Sequence, residues 1–162
     1  MRKPANIKIS PTKGKFSYGE CALKAISQAF EIPESALLII GKYMRINFLK
    51  ELNFWECQKV IHKLAKSAKS SVEYIPNKTE VTYAQMAFLL SEGKYLAMFD
   101  NHLSYLLDGE ILDDYIHDPD NPQWMLKRLH NPPTGWWKIR KYSIDKTKDS
   151  EWEEVKSVNL EL

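Results

Sequence analysis

Cysteine is scarce in this sequence: Cys21 and Cys57 are the two among 162 residues. Two are too few for a disulfide scaffold, so both thiols are expected free in a reducing cytosol, with a single Cys21–Cys57 bridge left open. Histidine is also sparse, at four residues. They are scattered without a CxxC or HxxxH pair, which excludes a zinc set of ordinary spacing. No glycine-rich phosphate loop occurs. Neither a metal nor a cofactor is therefore expected. No apolar run approaches the roughly 18–20 residues a bilayer span requires. The opening Met1-Arg2-Lys3-Pro4 leads into polar residues, not into the apolar segment of a signal peptide, so a cytoplasmic location is expected. An excess of either charge is missing as well. The formal net charge is +2, which demands neither nucleic acid nor an anionic membrane as partner.

What is present suffices for one folded domain. Hydrophobic residues make up 44% of the chain, and we place the domain at 1–144 with a charged tail at 145–162. Up to Gly19 the sequence is polar and basic, with Pro4, Pro11 and Gly14 favouring loop or extended backbone. From Cys21, apolar residues recur at helical spacing as far as Phe30, and Pro33 ends that helix. Ser35 to about Leu49 predicts a second helix, interrupted in its middle by Gly41. Asn53 caps a third, to about Ala65, and Thr82 a fourth, Tyr83–Leu90, closed by Gly93. Ser70–Ile75 reads as a short strand before Pro76-Asn77. Tyr95–Phe99 is apolar on both faces and predicts a central strand. Asp108-Gly109 between apolar runs is a strong two-residue hairpin signal. Residues 118–135, with four prolines, predict a loop, and Trp136–Ile144 a further strand. Helices first and an antiparallel sheet later predict an α+β fold.

Three residues carry the chemistry. Cys21 follows Gly19-Glu20 and opens the first helix, where unpaired backbone N–H groups and the positive end of the dipole favour a thiolate. Its own N–H is placed to hold an oxyanion. With Asp108-Gly109 as turn residues, Leu107 faces Glu110, Tyr105 faces Leu112, Ser104 faces Asp113 and His102 faces Tyr115. Side chains alternate along each strand, so His102, Ser104, Asp113 and Tyr115 share one face. Asp113 becomes the diagonal neighbour of His102, within side-chain reach, while Asp114 points away. Asp113 is therefore the residue expected to orient His102, through Nδ1. Nucleophile, base and orienter follow in the order Cys21, His102, Asp113.

The stretch from Pro11-Thr12-Lys13-Gly14-Lys15 through Gly19-Glu20-Cys21-Ala22-Leu23-Lys24-Ala25-Ile26 resembles papain-like cysteine peptidases of phages and mobile elements. These carry a Gly-Asp-Cys followed by a basic residue and an Ala-Ile pair. Gly93-Lys94-Tyr95-Leu96, Asn101-His102, Asp108-Gly109-Glu110-Ile111 and Asp113 extend the resemblance to about residues 11–115. Leader peptidases of bacteriocin exporters share the same plan. The resemblance implies a papain-like fold, with the Cys helix packed on an antiparallel sheet that carries the His. It implies Cys21 as nucleophile, His102 as base and Asp113 as orienter. It further implies a thiol protease or other amide hydrolase acting on a protein or peptide substrate. Glu20 and Lys24 replace the usual Asp and Arg with the charge kept. No Gln precedes Cys21, so a side-chain oxyanion donor is unassigned.

The remaining candidates have blander readings. Cys57 lies on an apolar helical face and His62 on a lysine-flanked surface. His117 and His130 lie in or near the proline-rich segment and are substitute bases only if the hairpin reading fails. Asp113, Asp114, Asp118 and Asp120 read as hairpin-end and loop solvation rather than a cation site. Trp136–Tyr142 interleaves aromatic and basic residues, which suits single-stranded nucleic acid, but an edge strand with an exposed basic face is the reading we favour. Beside the hydrolase stands one alternative from another class: a catalytically quiet papain-fold module that binds a protein. Oligomeric state is not encoded in any of these patterns.

Overall fold

The computed structural model describes residues 7–10, 21–100, 102–113 and 122–141. They form strands β1 (Lys8–Ser10), β2 (Ser70–Pro76), β3 (Lys94–Met98), β4 (Leu103–Leu107), β5 (Glu110–Leu112) and β6 (Gly135–Lys141). The helices are α1 (Cys21–Phe30), α2 (Glu34–Met44), α3 (Phe54–Ser67), α4 (Tyr83–Leu89) and α5 (Pro122–Leu129). The fold is α+β, with one six-stranded sheet in the order β1-β5-β4-β3-β6-β2.

Local chemistry sets the helix limits. Asn53 accepts from the Glu56 N–H at 2.9 Å while the Glu56 carboxylate accepts from the Asn53 N–H at 3.1 Å, a reciprocal cap that starts α3. Thr82 and Gln85 repeat the device at α4, at 3.2 and 2.9 Å. Helix α2 stops at Met44, earlier than the apolar pattern to Leu49 suggests. Arg45 turns left-handed (φ 58°) and its N–H closes on the Gly41 and Lys42 carbonyls. The apolar residues beyond, Ile46 and Phe48, fold back into the core. Gly41 is what lets them do so, because a Cβ there would lie 2.7 Å from the Ile46 carbonyl and from Phe48 Cδ2.

Strand β3 is central, paired antiparallel with β4 and β6. Leu96 and Met98 pack into the cluster built from α1, α2 and α3, with Trp137 and Ile139 of β6. Tyr95 and Ala97 face the other side with Phe99, against Tyr83, Met86 and Ala87 of α4 and Leu129 of α5. The sheet is thus covered on both faces, which explains why its central strand is apolar throughout.

Three expectations need correction. The sheet is mixed, not antiparallel, because β1 runs parallel to β5 with Lys8 beside Glu110 and Ser10 beside Leu112. A three-residue strand carrying two charged or polar residues gives too little period to stand out in sequence. Strand β6 is interior, between β3 and β2, and not an edge. Trp137 and Ile139 are buried beneath α3, while Lys138 lies with its ammonium 5.9 Å from the Tyr95 ring centre. Within 118–135, Pro122–Leu129 is helical rather than loop. Proline is tolerated at the first helical position, where no N–H partner is needed, so Pro122 starts the helix.

Candidate active site

The β4–β5 hairpin folds as its turn residues require. Asp108 (φ 49°) and Gly109 (φ 81°) both sit at positive φ, and Asp108 Oδ1 accepts the Gly93 N–H at 2.8 Å to fix the turn. Tyr105 faces Leu112, Leu106 faces Ile111 and Leu107 faces Glu110, the register expected from the sequence. Asp113 follows β5 and donates its N–H to the Ser10 carbonyl of β1 at 2.9 Å. His102 precedes β4, and its carbonyl accepts from the Phe99 N–H at 2.8 Å, closing the β3–β4 turn.

This backbone brings His102 Nε2 within 2.7 Å of Asp113 Oδ2, with both side chains buried. The expectation that Asp113 would use Nδ1 is corrected here: Nε2 is the nitrogen turned to the carboxylate. That orientation leaves Nδ1 as the ring nitrogen able to serve a thiol. The Cys21 thiol, half-buried at the first residue of α1, lies near enough to the His102 imidazole to help raise its pKa. Burial alone would lower the imidazole pKa. The Asp113 charge and hydrogen bond, with a smaller contribution from Cys21, outweigh it and raise the value from 6.5 to about 9. The first turn of α1 contains no acidic side chain to offset its dipole.

Behind the pair stand groups that sequence patterns did not single out. Tyr83, fully buried on α4, donates its hydroxyl to Ser104 Oγ at 2.7 Å. Its phenol pKa is raised, first by burial and then by the Asp113 charge, so it remains a donor. Phe99 packs edge-on against Tyr83 at 5.2 Å and tilted against His102 at 6.2 Å. The Arg128 guanidinium of α5 lies over the Phe99 ring, 4.6 Å from its centre. The only sequence signal for this support was Ser104, already assigned to the His102 face. Tyr83, Phe99 and Arg128 come from three separate elements.

The other candidates fall outside this arrangement. Cys57 is wholly buried, and its thiol is pushed up to about 12, chiefly by burial and then by the Cys21 and Glu56 charges. It is a core residue without nucleophilic character at neutral pH. His62 is exposed on α3, and partial burial of its ring lowers its pKa. His130 is exposed just beyond α5. His117, Asp114, Asp118, Asp120 and Tyr115, the residues 11–20 before Cys21 and the tail 145–162 lie outside the described residues. Among the described residues, no group of three or more His, Cys, Asp or Glu side chains is placed to hold a metal. No helix among them is long and apolar enough to cross a membrane.

No protein-family model matches this chain, and no curated protein or solved structure matches it either.

Proposed function

We propose that the protein is a papain-like thiol hydrolase in which Cys21, His102 and Asp113 act on an amide bond of a protein or peptide. The observation that carries this reading is the buried 2.7 Å His102–Asp113 pair, whose imidazole also feels the nearby Cys21 thiol at the start of α1. A protonated His102 beside the sulfur favours the thiolate. Cys21 Sγ attacks the substrate carbonyl carbon, and the oxygen takes up the negative charge facing the Cys21 N–H at the start of α1. His102 then gives its proton to the leaving amine as the C–N bond breaks, leaving a thioester on Cys21. Water, losing a proton to His102, attacks that thioester and releases the acid and the free thiol. Asp113 holds the ring throughout and offsets its positive charge.

The test is the pH profile of Cys21 alkylation by iodoacetamide in a Cys57→Ser background, with and without His102→Ala. Labelling that stays rapid well below the free-thiol pKa of about 8.5, and slows with His102→Ala, supports the reading. Labelling that follows an ordinary thiol in both proteins would overturn it. What would then remain is a protein-binding module, to which the exposed Trp55 and Phe88 are suited.

A further inference from the structure

Separate pieces of chain meet at one end of the sheet. Phe99 follows the last residue of β3 and His102 precedes β4, and the Phe99 N–H bond to the His102 carbonyl closes the turn between them. Cys21 begins α1 near that imidazole. Helix α5 brings its last turn to the same place, because the Arg128 guanidinium lies 4.6 Å from the centre of the Phe99 ring. Phe99 in turn packs at 6.2 Å against His102. One aromatic ring is therefore shared between the imidazole and a permanent positive charge.

Arg128 is half-buried and short of acceptors. A guanidinium carries five N–H donors and no acceptor. Among the described residues, no carboxylate stands within ion-pair distance of it and no oxygen accepts from it. Asp100, the acidic residue beside Phe99, is exposed and does not pair with it. Tyr83 feels the Arg128 charge, which works against that of Asp113, but the Tyr83 hydroxyl is committed to Ser104. The Phe99 ring holds the cation through its face yet supplies no oxygen. Serving the C-terminal dipole of α5 does not require this placement, since Lys127 does so from an exposed position in the same turn.

We infer that Arg128 is a specificity-determining residue that takes a carboxylate of the substrate. The inference rests on the thiol-hydrolase reading and narrows it to peptides with an acidic side chain or a free terminal carboxylate close to the scissile bond. The two oxygens of a carboxylate match the guanidinium fork as a bidentate pair, which a neutral carboxamide cannot do. The guanidinium lies against Phe99 rather than against His102. The carboxylate it binds therefore belongs to a residue neighbouring the reacting carbonyl, not to the reacting group itself.

The experiment compares Cys21 alkylation in the Cys57→Ser protein by three reagents, from each of which the sulfur displaces iodide. They are N-iodoacetyl-glutamic acid α-amide, N-iodoacetyl-glycylglycine with its terminal carboxylate free, and the neutral N-iodoacetyl-glutamine α-amide. The readout is the rate constant of each charged reagent divided by that of the neutral one, within one protein. The favoured acid is expected to react about tenfold faster than the neutral reagent, the worth of one charge-assisted hydrogen bond. Which acid gains identifies the source of the carboxylate. Arg128→Gln is expected to remove most of that advantage, Arg128→Lys to lose only part of it, and Lys127→Gln to leave it in place. A ratio unchanged by Arg128→Gln overturns the inference, and so does an equal fall in Lys127→Gln, which would report surface charge in general. If Arg128 only braces Phe99, Arg128→Gln slows all three reagents together and the ratio stays, which also overturns it. The iodoacetamide pH profile separates this result from the fate of the hydrolase. An Arg128-dependent ratio with an ordinary Cys21 keeps the carboxylate site and removes the hydrolase. Rapid alkylation with a ratio indifferent to Arg128 keeps the hydrolase and removes the site.

Discussion

His102 reaches Asp113 through Nε2, at 2.7 Å and with both side chains buried, although one stands just before β4, the other just after β5, and the two lie eleven apart in sequence. Pairing raises the imidazole pKa to about 9, so the folded protein binds that proton more tightly than the unfolded chain. The resulting stability is fully present below about 6.5 and is lost as pH rises through about 9, by an amount on the order of 3 kcal/mol at most. Urea unfolding midpoints measured from pH 6 to 10 should fall across that window. His102→Gln should flatten the dependence.

Asp113→Asn removes the charge while keeping a hydrogen-bonding group of the same shape. The imidazolium is then buried with less compensation, so its pKa should drop towards or below the ordinary value of about 6.5. In the Cys57→Ser background, the pH range of rapid Cys21 alkylation should narrow in parallel. An alkylation profile unchanged by Asp113→Asn would show that the carboxylate does not act through His102.

The Tyr83–Ser104 hydrogen bond is buried at both ends. Ser104→Ala strands a phenol donor and should cost about 1–3 kcal/mol, whereas Tyr83→Phe should cost about 1 kcal/mol. The double variant should be less destabilised than the two single effects added together. A double-mutant cycle by chemical denaturation reads that coupling, and additivity would mean the two groups do not stabilise one another.

Gly41→Ala should destabilise the protein by about 1–3 kcal/mol. The new methyl would meet the Ile46 carbonyl and Phe48 ring at 2.7 Å, and neither is the free end of a flexible chain. Asn53→Ala should cost about 1 kcal/mol through loss of the α3 cap. Comparing the two by denaturation tests whether the close approach at Gly41 outweighs an ordinary helix cap.

Local patterns reached far into this structure. The Asn53 and Thr82 caps, the positive-φ Asp108-Gly109 turn and the two-sided apolar strand at Tyr95–Phe99 each depend on a few neighbouring residues, and each recurs in the fold. Register followed from the turn: once Asp108 and Gly109 occupy the loop, pairing forces Ser104 and Asp113 onto the face that also carries His102. What failed were features without a local signature. Strand β1 is too short for periodicity and gains its place from the β5 edge. Helix α5 was hidden by prolines that serve as its start and its exit. Whether β6 is an edge or an interior strand depends on β2, some sixty residues away in the chain.

Composition, spacing and turn chemistry by themselves determined the α+β class, the hairpin that joins His102 to Asp113, and the place of Cys21 at a helix start, because each is set by short-range sterics and hydrogen bonding. Tertiary structure alone decided which imidazole nitrogen faces the carboxylate. It alone buried the pair against Phe99 and Tyr83, and set the Arg128 guanidinium over the Phe99 ring. Those outcomes arise where separate helices and strands meet, and the packing of distant surfaces is not written in the spacing of any one segment.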